Sequence, residues 1–532
     1  MKTKPKDVAR KLDKATRATR DSQSLTPQSR VAVSLVTIAC ALVFFAAALS
    51  TEDNLIKAPV MIASLVFSGW FIQRYTHAWG KYGLVMIKGQ GGLALMKTLG
   101  DRHPKLMREA ADFGLTMGFG IPYAFALFFL GGEKKKFAIH AVAAAAFYGW
   151  FASQAAGVNA LLLPVGLAAG FLGIGLLTLA SSTVMIFASK TASSAVAPLV
   201  PGITVPWEAI AAAIIIATVH EVAHGVLARV EKIRIKASGA VLWGFIPVAA
   251  FVEPDEEQLS RASIWKKRRV LAAGTASNFY FFIIFMAAAF AFVQLALPPL
   301  VQGAAINLPE NSTLQGILPQ GAIVQALNGQ PLTQANDANA AYRTGKEVTL
   351  IVEGKEYRVP AVEFVVTETE ATQTALVKGD VITHASATRL YNLEQLRDAL
   401  TVVGSDSLIN LTLSRQGKNV EVAARTNADG KLGVQLSQKA AFLLQDKPKP
   451  GLQLPFALAT LLASILALTA VLNLALAIIN VLPVFITDGH RIIYEELAEK
   501  LGKNTAAKAA AAAGAVTLGL IVINLARWFK II

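Results

Sequence analysis

Three ionisable side chains interrupt an otherwise apolar stretch, ATVHEVAHGV, at residues 217–226. His220 and His224 are four residues apart, so a helix places both imidazoles on one face, where they can reach one tetrahedral Zn²⁺. Glu221 follows the first histidine, and its carboxylate would lie beside the open position of the metal, where it can take a proton from water. Ionisable groups within an apolar segment that could span a membrane are themselves a sign of function. The pattern therefore predicts a zinc enzyme with Glu221 as general base.

The predicted zinc site needs a third protein ligand, because two histidines leave the tetrahedral metal incomplete. The best distant candidate is Asp488, in the stretch NVLPVFITDGHRI at residues 480–492. Pro483 and Gly489 interrupt the helical pattern around it, and broken helices inside membranes are tolerated where they line a polar cavity. His140 stands alone in its own apolar run, and we expect it to form a hydrogen bond between helices.

The composition predicts that these residues lie in a polytopic α-helical membrane protein. Apolar residues make up 54% of the chain and charged residues 16%, against about 25% charged in soluble domains, and the mean hydropathy is +0.49. Runs long enough to cross the roughly 30 Å hydrocarbon core predict nine spans, near 31–50, 56–74, 113–131, 137–156, 159–187, 207–230, 270–297, 453–482 and 510–527. Cys40 is the only cysteine, which excludes an intramolecular disulfide.

The charge pattern predicts an orientation in the cell membrane. The net charge is +15, concentrated beside the spans, which favours contact with the lipid bilayer over binding to nucleic acid. Nine Lys or Arg in residues 1–30 predict a cytosolic N terminus, and counting spans places the basic segments 81–109 and 261–269 there too. Only EKKK at 133–136 opposes this orientation. The same count brings the HExxH motif and Asp488 to the cytosolic ends of their spans.

Residues between the seventh and eighth spans alternate between strand patterns, Gly turns and charges, which predicts an inserted extracytosolic α+β domain. It contains an internal repeat, because GAIVQALNGQPLTQANDANAAY (321–342) aligns without gaps on GDVITHASATRLYNLEQLRDAL (379–400). A strand hairpin follows each copy, and this order resembles tandem PDZ-like modules at 303–362 and 363–440. Such modules bind an extended peptide as an added strand. The alternative is a folded spacer without a ligand.

HEVAH on a membrane helix, followed from residue 480 by N-x-x-P-x-x-x-x-D-G, resembles the site-2 protease family of intramembrane zinc metalloproteases. GAVLWGFIPVAAFVEPDEEQL (239–259) is similar to the membrane-associated hairpin of that family, with FVEPDEE closest to its archaeal branch. AAGTASNF (272–279) resembles the family segment A-G-x-x-x-N-F, with Thr275 where bacterial members usually have Pro. The first two spans and the pair at 137–187 are additions to the family pattern.

The resemblance implies hydrolysis of peptide bonds in the transmembrane segments of membrane-anchored substrates, with one Zn²⁺ per chain. It also implies roles for six residues, with His220, His224 and Asp488 as zinc ligands, Glu221 as general base, and Asn480 as a substrate-binding residue that positions the backbone. Asn278 is assigned to substrate binding as well, packed near the site, and the alternative for it is helix packing. A helical substrate must be unwound before attack, and an edge strand of the hairpin at 239–252 could hold the unwound segment by strand addition. A re-entrant structural loop is the alternative for that hairpin.

Two other functional classes fit parts of the pattern. A membrane HExxH enzyme of the prenyl-protein peptidase kind would take its third ligand from a glutamate on another helix, and Asp488 in its N-x-x-P setting opposes this. A zinc-binding membrane receptor or transporter without protease activity would not need Glu221 beside its first ligand.

The predicted organisation follows the chain from end to end. It comprises a basic cytosolic segment (1–30), two accessory transmembrane helices (31–74), a cytosolic membrane-associated segment (75–112), a membrane core with the HExxH helix (113–300), the two PDZ-like modules, and a second core segment with the last transmembrane helix (453–532).

Overall fold

The computed structural model of the chain describes residues 27–49, 54–76, 78–89, 92–154, 161–189, 193–199, 201–202, 204–309, 312–335, 347–369, 375–415, 417–529 and 531. Most of the predicted basic segment, residues 1–26, lies outside these ranges. The chain divides into two compact units. The first comprises Met1–Ala289 and Ser464–Ile532, and the second comprises Phe290–Ala463.

The described helices are, in chain order, α1 (Pro27–Leu49), α2 (Asn54–Thr76), α3 (Leu93–Arg102), α4 (Pro104–Phe119), α5 (Ile121–Ala124, continued by a π-helical turn, Phe125–Phe129), α6 (Lys134–Gln154), α7 (Leu162–Ala188), α8 (Ala209–Val230), α9 (Glu256–Arg261), α10 (Ile264–Ala296), α11 (Leu393–Val403), α12 (Gln453–Val481), α13 (Asp488–Leu501) and α14 (Lys503–Trp528). Among the described residues, five helices are long and apolar enough to cross a membrane, namely α7, α8, α10, α12 and α14. The chain is therefore a polytopic helical membrane protein.

The described strands are β1 (Trp79–Lys81), β2 (Leu84–Gly89), β3 (Ile235–Trp243), β4 (Ile246–Pro254), β5 (Val301–Asn307), β6 (Val324–Leu327), β7 (Gln330–Pro331), β8 (Glu347–Val352), β9 (Lys355–Pro360), β10 (Val362–Thr369), β11 (Val381–Ala385), β12 (Thr388–Arg389), β13 (Leu408–Arg415), β14 (Lys418–Arg425), β15 (Val434–Ala440) and β16 (Leu443–Pro448). From β5 to β16 they belong to the second unit, which is an inserted β domain.

The first unit contains a four-stranded antiparallel sheet in the order β1-β2-β3-β4. Strands β3 and β4 form the hairpin expected at 239–252, with Val241 opposite Ala249. The partner of β3 on its other side is β2, from the segment 79–89. Because β4 ends the order of the sheet, its outer edge has no strand partner among the described residues.

Two of the predicted spans are broken by glycines. The span expected at 113–131 is interrupted at Gly120, where φ is 87° and ψ is 178°. After α5 the chain returns to the middle of α4, because Lys136 Nζ lies 2.5 Å from Oδ2 of the buried Asp112. The span expected at 159–187 contains Gly170, whose φ of 62° and ψ of −150° break α7 into two helical halves. The count of nine spans stays a prediction.

The second unit repeats one strand order. Its first repeat forms a sheet β7-β6-β8-β9, and β12, β11, β13 and β14 follow the same order in a larger sheet, to which β10 and β15 add. The alignment places the counterpart of α11 in the first copy at 335–345, of which 336–345 lie outside the described residues. The two ends of the unit are joined by β5 and β16, which pair antiparallel with Ala304 opposite Asp446. Buried apolar residues such as Leu350, Phe364 and Phe442 form its core.

Candidate metal centre

Helix α8 presents the two histidines of the HExxH motif on one face. Its sequence is rich in Ala, Ile and Val without proline, so the helix continues unbroken through the motif, and residues four apart face the same way. The Nε2 atoms of His220 and His224 lie 3.2 Å apart, and His220 is buried. Two nitrogen ligands therefore converge on one point.

Asp488 reaches this point from a turn that follows α12. The turn is closed by Thr487, whose Oγ1 donates to Val484 O at 2.8 Å and caps the N terminus of α13 by accepting from His490 N–H. The chain folds back so closely that a Cβ on Gly489 would lie 2.2 Å from Val481 O, so only glycine fits there. Asp488, the first residue of α13, thereby extends its carboxylate toward α8.

The three side chains form a nearly regular triangle of ligand atoms. Asp488 Oδ2 lies 3.4 Å from His220 Nε2 and 3.2 Å from His224 Nε2. Ligands bound tetrahedrally to zinc at about 2.0–2.1 Å are separated by roughly 3.3–3.4 Å, which fits these distances. Asp488 Oδ2 is buried, has no hydrogen-bond partner among the described residues, and lies at ion-pair distance from both imidazoles. The donor set of two nitrogens and one oxygen suits a catalytic zinc with one open position.

The outer ring nitrogens of the histidines have partners of their own. His224 Nδ1 donates to Val270 O of α10 at 2.8 Å, which leaves the lone pair on Nε2 toward the triangle. His220 Nδ1 lies 3.0 Å from the side-chain amide nitrogen of Asn278, which is fully buried on α10. The amide oxygen of Asn278 is buried and has no hydrogen-bond partner in the part of the chain that the structure describes.

Glycine in α10 allows that helix to touch the metal ligands directly. A Cβ built on Gly274 would lie 2.2 Å from His220 Cε1 and 2.5 Å from His224 Nε2. Any larger residue would therefore occupy the space of the imidazoles. Sequence reasoning assigned no role to Gly274, although its place in the A-G-x-x-x-N-F segment was the signal that could have identified it.

Glu221 connects the motif to the hairpin sheet. Its Oε2 accepts a hydrogen bond of 2.8 Å from the backbone N–H of Val252. Val252 belongs to β4, so this N–H lies on the outer edge of the sheet. The carboxylate following the first histidine thus lies at the edge of a β-strand, a contact that the sequence did not indicate.

Asn480 completes the group of six predicted site residues around the triangle. It is on α12, and its amide nitrogen lies 3.4 Å from His220 Nε2 and 3.5 Å from His220 Nδ1. All six predicted residues are therefore brought together.

His140 lies elsewhere, buried, with Nδ1 3.1 Å from Thr116 Oγ1 of α4, which is the interhelical hydrogen bond expected for it.

Comparison with known proteins gives the class and then the family. Residues 208–523 match the model of Peptidase family M50, which is a class of metallopeptidases. Because the match covers more than half of the chain, the protein belongs to this family, the site-2 protease family, and the resemblance noted in its sequence is confirmed. The uncharacterized protein MJ0971 of Methanocaldococcus jannaschii is 25% identical over 205 residues, which are 38% of this chain and 52% of that protein. The chain thus spans about half the length of this curated relative.

Proposed function

We propose that the protein is an intramembrane zinc endopeptidase that hydrolyses peptide bonds within the membrane-spanning segments of anchored proteins. The observation that carries the proposal is the triangle of His220 Nε2, His224 Nε2 and Asp488 Oδ2. Glu221 follows the first of these ligands in α8. The helices α8 and α12, which lead into this triangle, are long and apolar enough to cross a membrane.

The residues around the triangle divide the chemistry among them. A zinc ion held there would supply Lewis acidity to the peptide carbonyl and to water. Glu221 takes the proton from the attacking water as a general base and later returns it to the leaving amine as a general acid. Asn480, half-buried with its amide beside the triangle, is placed to hydrogen-bond the substrate backbone.

We assign Asn278 a positioning role in place of the substrate binding implied by the family resemblance. It is fully buried, and its amide faces His220 Nδ1. When His220 Nε2 acts as a ligand, Nδ1 carries the proton and needs an acceptor. Turning the amide by a half rotation, which scarcely changes its shape, supplies Oδ1 as that acceptor. Asn278 is therefore a positioning residue for His220.

The outer edge of β4 is suited to hold the unwound substrate. The N–H of Val252 points away from β3 to Glu221, and alternation along a strand makes Ala250 present its N–H and C=O on the same edge. An extended segment added there would run past Glu221 and the triangle. Strand addition thus places a peptide bond beside the proposed catalytic base.

The proposal predicts that two substitutions in the site have different effects. Glu221→Gln should leave the zinc content of the purified protein unchanged and abolish cleavage, because Glu221 is not a ligand. Asp488→Ala should lower both, because it removes one of three ligands. The measurements are metal analysis of each variant and cleavage of a panel of membrane-spanning peptides. Cleavage by Glu221→Gln at the wild-type rate would refute the role of the base and leave a zinc-binding receptor or transporter as the better description.

The metal-site end of the first unit is cytosolic in this proposal. Asp112 pairs with Lys136 and, through two hydrogen bonds of 2.8 Å, with Arg269. The EKKK segment, which opposed the predicted orientation, therefore lies beside the basic segment 261–269. The region 113–131 then enters and leaves the membrane on the cytosolic side.

Helix α7 forms a second region that enters and leaves the membrane on one side. Because two predicted crossings are removed together, the orientation of α8 is unchanged. The first half of α7 packs on Tyr148 of α6. The second half begins near Gly175, which lies beside Leu482. It continues to Ser182, whose hydroxyl donates to Asn524 Oδ1 at 2.8 Å. Asn524 lies near the end of α14, opposite to the metal-site end. Helix α7 therefore enters and leaves on the extracytosolic side, and the proposal has seven crossings in place of nine.

The second unit is, in this proposal, an extracytosolic pair of PDZ-like modules that reads peptides and excludes substrates with bulky outer domains. The repeated strand order, β7-β6-β8-β9 and β12-β11-β13-β14, supports two related modules. The second unit can be replaced by a short linker, because Gly303 and Lys447 are opposite each other in the β5–β16 pair. Paired residues are about 4.5–5.5 Å apart, so a short linker can join the two cut ends.

Deleting 303–446 and inserting a short Gly/Ser linker should preserve zinc binding and permit cleavage of substrates that keep their outer domain. The comparison is between intact and pre-trimmed substrate, with and without the deletion. Equal discrimination by both enzymes would show that the second unit is not the filter. A deletion variant without zinc would show that the unit instead maintains the fold of the membrane core.

A further inference from the structure

A basic cleft lies at the C-terminal end of α8, on the side of the helix that faces α3. Its volume is about 850 Å³, and it is lined by residues of α3, the start of α4 and the turn from α8 into β3. Among the described residues, the cleft is lined by one carboxylate, Asp101, and by five cationic side chains, Lys97, Arg108, Arg229, Lys232 and Arg234. None of these residues belongs to the metal centre.

The carboxylates near the cleft leave most of this positive charge unbalanced. Asp101 is occupied by Arg229, whose Nε and Nη2 donate to it at 3.0 and 3.2 Å. Arg108 donates to the buried Glu231 at 2.8 Å. The side chains of Lys232 and Arg234 are exposed and form no ion pair with the described residues. Cations concentrated in a concave site attract anions more strongly than the same charges on an open surface.

Apolar side chains accompany the cations. Leu93, Val230 and Ile233 line the cleft itself. Leu95 of α3 and Leu106 of α4 are 53% and 59% exposed, and exposing such apolar side chains to water is unfavourable. Exposed leucines beside Lys and Arg on a short helix are typical of a helix lying in the membrane–water interface. A ligand for this place should therefore carry both an anionic group and hydrocarbon.

We propose that this cleft binds the phosphate group of an anionic phospholipid from the cytosolic leaflet. Three cations would contact the headgroup phosphate, namely Lys232 and Arg234, which form no ion pair with the described residues, and Lys97, which lies one helical turn before Asp101 on α3. The leucines of α3 and α4 would contact its acyl chains. The bound lipid would connect α3 to the turn between α8 and β3. Helix α8 carries the HExxH motif, and β3 is the first strand of the hairpin. This inference does not depend on peptidase activity.

The test compares two triple variants of the full chain that lose the same charge. The cleft variant combines Lys97→Gln, Lys232→Asn and Arg234→Gln. Asparagine is chosen at 232 because Lys232 has a φ of 63°, and asparagine tolerates that left-handed conformation. The control variant replaces Lys500, Lys503 and Lys508, all exposed on α13 and α14, with glutamine. Unchanged circular dichroism and zinc content would show that both variants are folded.

The readout is lipid retention by native mass spectrometry of detergent-solubilised protein titrated with phosphatidylglycerol or phosphatidylcholine. The wild type and the control variant should bind phosphatidylglycerol at least about tenfold more tightly than phosphatidylcholine, and the cleft variant should lose this preference, because each Lys or Arg near an anionic headgroup contributes about fivefold. Equal retention of both lipids by the wild type, or equal losses in both variants, would overturn the proposal.

A second arm separates lipid phosphate from soluble phosphate. Inorganic phosphate titrated at millimolar concentration should not displace phosphatidylglycerol from the wild type, because it lacks the acyl contacts. If it binds the lipid-free wild type as tightly as the lipid does, and not the cleft variant, the lipid is the wrong source of the phosphate.

Discussion

Replacing Gly274 with alanine adds one methyl group at the point where α10 touches both histidines of the metal centre. The new Cβ would lie 2.2 Å from His220 Cε1 and 2.5 Å from His224 Nε2, whereas ordinary contacts begin at 3.4 Å. The rings and the helix must therefore separate by about 1 Å, and overpacking of this kind costs about 1–3 kcal/mol of stability.

The effect on the metal should exceed the effect on stability. Zinc sites tolerate deviations of about 0.2 Å in ligand distance, so a shift of about 1 Å removes at least one imidazole from the triangle. Loss of a hydrogen-bond partner behind a ligand alone lowers metal affinity about 10–100-fold. We therefore expect Gly274→Ala to lower zinc affinity by at least about 100-fold, and cleavage to fall with it.

Gly114→Ala is the matched control, because it overpacks α10 against α4 without touching a histidine. Its Cβ would lie 2.3 Å from Ala276 Cβ. Both variants should lose similar thermal stability, and only Gly274→Ala should lose zinc. The assay is zinc titration of metal-free protein against a chelator, with circular dichroism as the check of folding. Wild-type zinc affinity in Gly274→Ala, or equal losses in both variants, would refute the packing argument.

Two further predictions concern a histidine partner and an acid-sensitive carboxylate. Asn278→Ala should lower zinc affinity about 10–100-fold, because His220 Nδ1 loses its acceptor; unchanged affinity in the chelator titration would contradict this. Burial acts to raise the pKa of Asp380, but hydrogen bonds from Arg415 and Val377 N–H hold that pKa below its ordinary value. Asp380 therefore stabilises the second repeat above its unfolded pKa of about 3.9, and this stabilisation is lost as the pH falls through the lower, folded pKa. Hydrogen exchange from about pH 3 to about pH 7 should show the acid step in the wild type and not in Asp380→Asn, and an unchanged step in the variant would assign it to another group.

The metal ligands could be predicted from the sequence because their spacing is a local property. Four residues on one helix place His220 and His224 on one face whatever surrounds them. Asp488 could be predicted because a proline and a glycine interrupt its apolar run, which is unfavourable in a membrane unless the break serves a site. The hairpin and the internal repeat of the second unit were also visible, since alternation and turn residues are local patterns.

The tertiary structure decided which distant surfaces touch. The sequence did not indicate that Gly274 lies against both imidazoles, that Val252 N–H binds Glu221, or that β2 extends the hairpin sheet. These contacts join residues far apart in the chain, and their energy comes from complementary shapes that periodicity does not encode. The breaks at Gly120 and Gly170 were not predicted from the sequence, for a related reason. Hydropathy averages composition along a window, whereas the direction of the chain at each break is set by the positive φ of one glycine, which the absence of a Cβ permits and neighbouring helices select.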